Sequence, residues 1–120
     1  MNQTTKRLGE RIAQALTPDL LSPTWAQRAT LAHPMTGHCY VASEAAFHLL
    51  GGFDSPWRPR VLRMGDITHW WLTDGTKILD ITRDQFTDPV PYELGRPCGF
   101  LTRQPSRRAR IVMSRLESYS

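Results

Sequence analysis

Two neighbouring runs of strand-forming residues predict a β-hairpin in the second half of the chain. Residues 68–73 and 76–82 are rich in β-branched, aromatic and aliphatic side chains, and Asp74-Gly75 between them is a strong hairpin signal. A two-residue loop places His69 directly opposite Asp80. Opposed residues on one face have Cβ atoms about 4.5–5.5 Å apart, so the imidazole can donate a hydrogen bond to the carboxylate.

The predicted hairpin has two apolar faces. Trp71 lies on the His69 face, whereas Trp70 and Leu79 lie on the opposite face. Because exposing Trp70 and Leu79 together would be costly, we expect the N-terminal or C-terminal helix to cover them. The His69 face would then lie against a central helix. A weakly alternating run, Arg60–Met64, is the third strand of a small antiparallel sheet.

A cysteine opens the predicted central helix. The helix starts near Cys39, after a loose segment that ends at Gly37, and stops at Gly51-Gly52. Ala42, Ala46 and Leu49 follow Cys39 at helical spacing, which places the thiol at the exposed first turn of the core-facing stripe. The unsatisfied N–H groups and the positive end of the helix dipole favour thiolate there, so we expect an activated cysteine.

Cys39, His69 and Asp80 together predict a catalytic triad. Alone, Cys39 is typical of a small core residue, His69 of a strand histidine bonded to a carbonyl, and Asp80 of a strand terminus. Their order and spacing favour a single catalytic unit over three coincidences. In such a unit Cys39 attacks an acyl carbon, His69 moves the proton and Asp80 orients the imidazole.

The residues around this triad resemble the core of the papain-like and transglutaminase-like cysteine enzymes. The matching segments are Gly37-His38-Cys39 before an alanine-rich helix, Thr68-His69-Trp70-Trp71, and Ile78-Leu79-Asp80-Ile81-Thr82. Within that superfamily, the stretch from Leu79 to Phe86 and the chain length look most like the short bacterial YunG-like proteins. The resemblance implies an α+β fold in which the helix bearing Cys39 packs on a small antiparallel sheet, with N- and C-terminal helices around it.

The same resemblance implies a thioester intermediate and action on an amide. Hydrolysis of a peptide or isopeptide, deamidation of glutamine and transamidation all remain open. The backbone N–H of Cys39 is one expected oxyanion donor. Family members tend to carry glutamine before the cysteine, where this chain has His38, so Gln27, Thr36 or His38 is the expected second donor. Trp25 and Trp71 are candidate substrate contacts, with Trp25 in a packed loop before the cysteine.

Composition is compatible with one compact domain in a reducing compartment. The chain has 120 residues, 40% of them hydrophobic, and no apolar run long enough for a membrane helix or signal peptide. Two cysteines without a pairing pattern favour the cytoplasm. The histidines lack the spacing of metal ligands, so we expect no metal or other cofactor. Cys98, in a proline-rich stretch, is expected to be a structural or surface thiol.

Positive charge is concentrated at the C-terminus. From residue 96 onward there are six arginines and one glutamate, whereas the whole chain has a net charge of +4. Residues 105–117 predict a helix with Ala109, Val112, Met113 and Leu116 inward. Its exposed Arg107, Arg108 and Arg110 could bind a nucleic acid or an acidic protein, which would make the chain a non-catalytic binding or inhibitory protein. A solvated helix face is favoured, since no aromatic residues interleave with the arginines.

An amphipathic pattern also predicts an N-terminal helix over residues 6–16. Leu8, Ile12, Ala15 and Leu16 lie on one stripe, and Thr17-Pro18 ends the pattern. This helix is expected to dock on the core.

Overall fold

A computed structural model describes residues 3–16, 38–64, 67–83, 89–100 and 103–118. Within these ranges the fold is α+β, as expected, with three α-helices and a four-stranded antiparallel sheet. Two short 3₁₀ helices, at Gly52–Asp54 and Tyr92–Leu94, lie between the longer elements. The helices are α1 (Gln3–Ala15), α2 (Cys39–Leu49) and α3 (Arg107–Ser118), and the strands are β1 (Arg58–Met64), β2 (Ile67–Thr73), β3 (Ile78–Leu79) and β4 (Arg96–Pro97).

The predicted helices and the predicted third strand are all present, with small changes at their ends. All three helices begin and end within a few residues of the expected positions. None of the described helices is both long and apolar enough to span a membrane. β1 begins two residues before the predicted run. The short strand β4 was not predicted, because arginine and proline have little preference for strands.

The sheet has the strand order β3-β2-β1-β4. β1 and β2 pair along their whole length, from Arg58 opposite Thr73 to Met64 opposite Ile67. β4 pairs with the outer edge of β1, and β3 pairs only with the end of β2. Most of the length of β2 on the β3 side is therefore not covered by a described strand.

The β2–β3 hairpin has a register that differs from the predicted one by two residues. Leu72 lies opposite Leu79 and Thr73 lies opposite Ile78, so the loop contains four residues rather than two. The predicted two-residue loop, which would have placed Thr73 opposite Thr76, is therefore wrong. A shift of two residues keeps every side chain on its expected face, whereas a shift of one would have reversed the faces.

The side chain of Asp74 accounts for the longer loop. Its Oδ1 accepts hydrogen bonds from the backbone N–H groups of Thr76 (2.9 Å) and Lys77 (2.7 Å). The Thr73 hydroxyl donates to the carbonyl of Lys77 at 2.8 Å, and Gly75 takes a φ of 99°. An aspartate that bonds to amides two and three residues ahead stabilises a wider turn than the paired Asp-Gly dipeptide alone would form.

Helix α2 packs on the face of the sheet opposite to His69. Leu72 and Leu79 join α2 in the main core, and Tyr40 meets Trp70 edge to face with 4.8 Å between ring centroids. The expectation of a terminal helix on this face is met at Leu79, because α1 lies so close that a Cβ atom at Gly9 would be 3.1 Å from the Leu79 side chain. The expectation that α2 would cover the His69 face is wrong. The physical reason is that the Trp70 face offers the larger uninterrupted apolar surface to an alanine-rich helix.

A segment that contains the short 3₁₀ helix Tyr92–Leu94 covers the His69 face. Trp71 is 1% exposed, and its indole lies 5.6 Å from the His69 ring and 5.1 Å from the Tyr92 ring. Gly95 lies so close to Trp71 that a Cβ atom at residue 95 would overlap the indole. The segment that contains Tyr92 and Gly95 therefore packs directly on the polar side of the sheet.

Glu44 and two arginines fasten helix α3 to the core. Glu44 is completely buried in α2 and accepts hydrogen bonds from the backbone N–H (2.9 Å) and hydroxyl (2.6 Å) of Ser106. At the other end, Arg115 donates to the carbonyl of Ala15 and Arg11 donates to that of Leu116. Each arginine thus satisfies an end carbonyl of the other helix. As predicted, α3 buries Ala109, Val112 and Leu116, exposes Arg107, Arg108 and Arg110, and keeps Met113 half-buried.

We expect Gly95→Ala to destabilise the protein by about 1–3 kcal/mol, because the new methyl group must displace the buried indole of Trp71. The free energy of unfolding measured in urea tests this. Gly99→Ala is the matched control, since a Cβ there would meet no atom within 4 Å. Equal stability of the two variants would contradict the packing of residue 95 on Trp71.

Candidate functional site

A buried hydrogen bond joins His69 to Asp80. The Nε2 atom of His69 lies 2.8 Å from Oδ2 of Asp80, and the two side chains are 0% and 3% exposed. Because a carboxylate only accepts, Nε2 carries the proton and donates it to Asp80. The sequence-based expectation that these two residues meet is in agreement with the geometry.

The contact forms despite the wrong register. Continued past β3, the observed register puts residue 82 opposite His69, so that Asp80 lies two positions nearer the turn and diagonal to His69. Diagonal neighbours on one face are about 7–8 Å apart at their backbones, a distance that an imidazole and a carboxylate can span together. The side-chain face, and not the exact pairing, therefore decides whether the two residues meet.

Tyr92 is a third member of this polar cluster. Its hydroxyl donates to Oδ2 of Asp80 at 2.8 Å, so that one carboxylate oxygen accepts from both Tyr92 and His69. Burial raises the pKa of Tyr92 most, and the negative charge of Asp80 raises it further. The hydroxyl therefore stays protonated and can donate. Sequence reasoning missed Tyr92, because it follows Asp80 by twelve residues in a segment without periodicity.

The thiol of Cys39 lies at the uncovered edge of β2. The amide of Asp74 donates to the carbonyl of Lys77. Because backbone groups alternate in direction along a strand, the N–H and C=O groups of the even-numbered residues of β2 also point toward the β3 side. Thr68 and Trp70 therefore turn their backbone groups to the part of that edge that β3 leaves free. Sγ of Cys39 donates to the Thr68 carbonyl at 3.2 Å, and the Trp70 amide also reaches the sulfur.

Residue 69 thus lies between the two backbone groups that hold the thiol. Cys39 reaches β2 from the helix side of the sheet edge, and His69 points to the other face. Among the described residues, the hydrogen-bond acceptor for the thiol is the Thr68 carbonyl and not the imidazole. The three predicted catalytic residues converge on one short stretch of backbone, with His69–Asp80 formed and the thiol held beside it.

The thiol is neutral in this arrangement. Burial, together with a smaller effect of the Asp80 charge, raises the pKa of Cys39 to about 11. Hydrogen bonds from the amides of Trp70 and Tyr40 lower the pKa, but they do not offset this rise. Cys39 is 6% exposed, so the expectation of an exposed, activated thiolate at the helix start is wrong. Loss of water around the sulfur outweighs the favourable helix end.

The other predicted site residues have different surroundings. His38 is completely buried at the N-cap of α2 and makes no side-chain capping bond. Trp71 is buried against His69 and Tyr92, where it supports the histidine face. Trp25, Gln27 and Thr36 lie outside the described residues.

Cys98 provides an internal comparison for Cys39. Both cysteines are free thiols, and burial raises the pKa of Cys98 to about 11 as well. Cys98 is half-buried near Pro59, and the positive charge of Arg60 partly offsets the effect of burial. Across the described ranges, no group of three or more histidine, cysteine or acidic side chains could hold a metal ion.

We expect both cysteines to react slowly with iodoacetamide near neutral pH and to react faster as the pH rises. The thiolate is the reacting form, and a pKa of about 11 leaves little of it at neutral pH. Peptide mapping of the alkylated protein at a series of pH values measures each rate separately. A rate at Cys39 that levels off below about pH 8 would show a stabilised thiolate and contradict this geometry.

Comparison of the chain with protein-family models, with curated proteins and with solved structures found no match. The observations that bear on its chemistry are the thiol bonded to the edge of β2 and the His69–Asp80 pair on the sheet face.

Proposed function

We propose that the protein is a thiol-dependent hydrolase or acyltransferase that acts on an amide, with Cys39 as nucleophile, His69 as general base and Asp80 as its orienting partner. The observation that carries this proposal is the buried His69–Asp80 hydrogen bond directly beside the backbone stretch that holds the thiol. A papain-like or transglutaminase-like arrangement would use the same three residue types. Peptide, isopeptide and glutamine side-chain amides are the substrate class.

The first step would start from a neutral thiol. Because Nε2 of His69 is bonded to Asp80, Nδ1 is the nitrogen that would accept the thiol proton. The thiol turns from the Thr68 carbonyl toward the imidazole, its sulfur attacks the acyl carbon, and the proton passes to Nδ1. The substrate carbonyl oxygen becomes the negatively charged oxygen of a tetrahedral intermediate, and Asp80 stabilises the imidazolium.

Collapse of the intermediate would complete the acyl transfer. The carbon–nitrogen bond breaks, the imidazolium gives its proton to the leaving amine, and a thioester remains on Cys39. Water then yields the acid, whereas an amine yields a new amide. The amides of Tyr40 and Trp70, which already reach the sulfur, are placed to stabilise negative charge developing beside it.

We expect p-nitrophenyl acetate to acetylate Cys39 at least tenfold faster than Cys98 at about pH 7.5, because general-base assistance typically contributes about 10²–10⁴-fold. Burial raises the pKa of both thiols to about 11, and Cys39 is the more buried of the two. Faster acetylation of Cys39 would therefore not come from a lower pKa or from greater exposure. Mass spectrometry of the intact protein and of its peptides locates and quantifies the acetyl group.

Matched variants separate base assistance from simple exposure. His69→Gln should reduce the Cys39 rate to that of Cys98, and Asp80→Asn should reduce it in part, while Cys98→Ala leaves it unchanged. Circular dichroism confirms that each variant is folded. Equal acetylation of the two cysteines in the folded wild type, or a rate at Cys39 indifferent to His69→Gln, would refute the proposed enzyme.

A second candidate function is binding of an acidic protein or a nucleic acid through α3. Arg107, Arg108 and Arg110 are exposed, and within the described parts of the chain none of them forms an ion pair. An exposed aromatic ring, Phe53, also lies 6.0 Å from the guanidinium of Arg103, which precedes the helix. This exposed ring beside an arginine was not anticipated from the sequence.

If α3 binds nucleic acid, a fluorescent single-stranded oligonucleotide should bind with an affinity that falls steeply with salt. The triple variant Arg107→Gln, Arg108→Gln, Arg110→Gln should lose this binding, and Cys39→Ala should retain it. Arg7→Gln, Arg63→Gln, Arg96→Gln removes the same charge from other exposed positions. Equal loss in both triple variants would show nonspecific attraction and exclude a dedicated α3 surface.

A further inference from the structure

A cavity of about 420 Å³ lies between α1 and the end of β3. This volume is within the range of small-molecule sites in proteins. Asp80 and Tyr92 line part of its wall, and Leu79 and Ile81 supply apolar surface. Cys39 does not line it, so the cavity is distinct from the place where the thiol lies.

Asp80, one of the residues that line this cavity, has an incompletely bonded carboxylate. Its Oδ2 accepts from both His69 and Tyr92, whereas its Oδ1 is buried and accepts no hydrogen bond in the part of the chain that the structure describes. The Asp80 side chain is 3% exposed. A buried carboxylate oxygen without a donor is unfavourable, because an acceptor removed from water requires a replacement partner.

The mouth of the cavity carries charges of both signs. Lys6 and Glu10 lie on α1, Arg83 lies beyond β3, and all three side chains are exposed. Together with the buried Asp80 they give two positive and two negative groups around an apolar wall. Such a distribution is complementary to a small molecule that carries a cation at one end and an anion at the other.

We propose that this cavity binds a small amino acid or related zwitterion, with its ammonium group donating to Oδ1 of Asp80 and its carboxylate facing Lys6 and Arg83. An ammonium group supplies both the missing donor and a charge opposite to that of Asp80. The apolar stem of the ligand lies along Leu79 and Ile81. Arg83 and Lys6 then hold the carboxylate at the mouth, where both side chains reach solvent.

This site goes beyond the proposed acyl transfer and does not require it. Cys39→Ser should leave ligand binding unchanged, so loss of thiol chemistry and loss of ligand binding can be observed separately. Binding at Oδ1 would nevertheless place the ligand on the carboxylate that orients His69. A ligand in the cavity would therefore act on the His69–Asp80 pair, although the cavity is not lined by Cys39.

The test uses the full chain with ¹³C-labelled isoleucine and leucine methyl groups. Glycine, β-alanine, 4-aminobutyrate and 6-aminohexanoate are titrated separately, with n-butylamine and butyrate as controls that carry one charge each. We expect saturable shifts of the methyl signals of Ile78, Leu79 and Ile81. At least one amino acid should bind about tenfold more tightly than either single-charge control.

Variants assign the two ends of the ligand. Asp80→Asn should abolish preference for the ammonium group, while Lys6→Gln combined with Arg83→Gln should weaken binding about tenfold. Arg7→Gln, an exposed α1 residue that does not line the cavity, should have no effect. The absence of saturable shifts with all four amino acids, or equal affinity for n-butylamine, would overturn the proposal.

Discussion

The alternation of side chains along β2 is the constraint on which both the core and the candidate site depend. Trp70 and Leu72 point toward α2, whereas His69 and Trp71 point toward the segment that contains Tyr92. Both faces are buried, so a slip of one residue would place an imidazole in the apolar core and two apolar side chains among polar groups. Only registers that keep each side chain of β2 on its own face are therefore acceptable, and all of them place His69 on the same face as Asp80.

Burial has opposite consequences for the two halves of the site. Asp80 keeps its carboxylate in a dry environment because His69 and Tyr92 both donate to it. At Cys39 the amides of Trp70 and Tyr40 favour a negative charge, but loss of solvent outweighs them and holds a neutral thiol bonded to a backbone carbonyl. The proposed reaction would consequently start from a neutral thiol and a general base, and not from a preformed thiolate–imidazolium pair.

The features predictable from sequence were those set by local periodicity. Helical spacing predicted α2 and its start at Cys39, and strand alternation predicted that His69 and Asp80 share a face, as the structure shows. The hairpin register was not predictable from the Asp-Gly dipeptide, because the Asp74 side chain stabilises a longer turn. Tyr92 was also beyond prediction, since only tertiary packing on Trp71 brings its hydroxyl to Asp80. The thiol pKa depends on burial, which the helix position alone does not reveal.

The most direct test of the site is the position of the proton on the His69 ring. Two-bond ¹H–¹⁵N correlation spectra of the folded protein distinguish a neutral ring protonated on Nε2 from one protonated on Nδ1. A hydrogen bond from Nε2 to Asp80 requires the proton on Nε2, with Nδ1 able to accept. A neutral ring with its proton on Nδ1 would contradict the His69–Asp80 pair and the triad built on it.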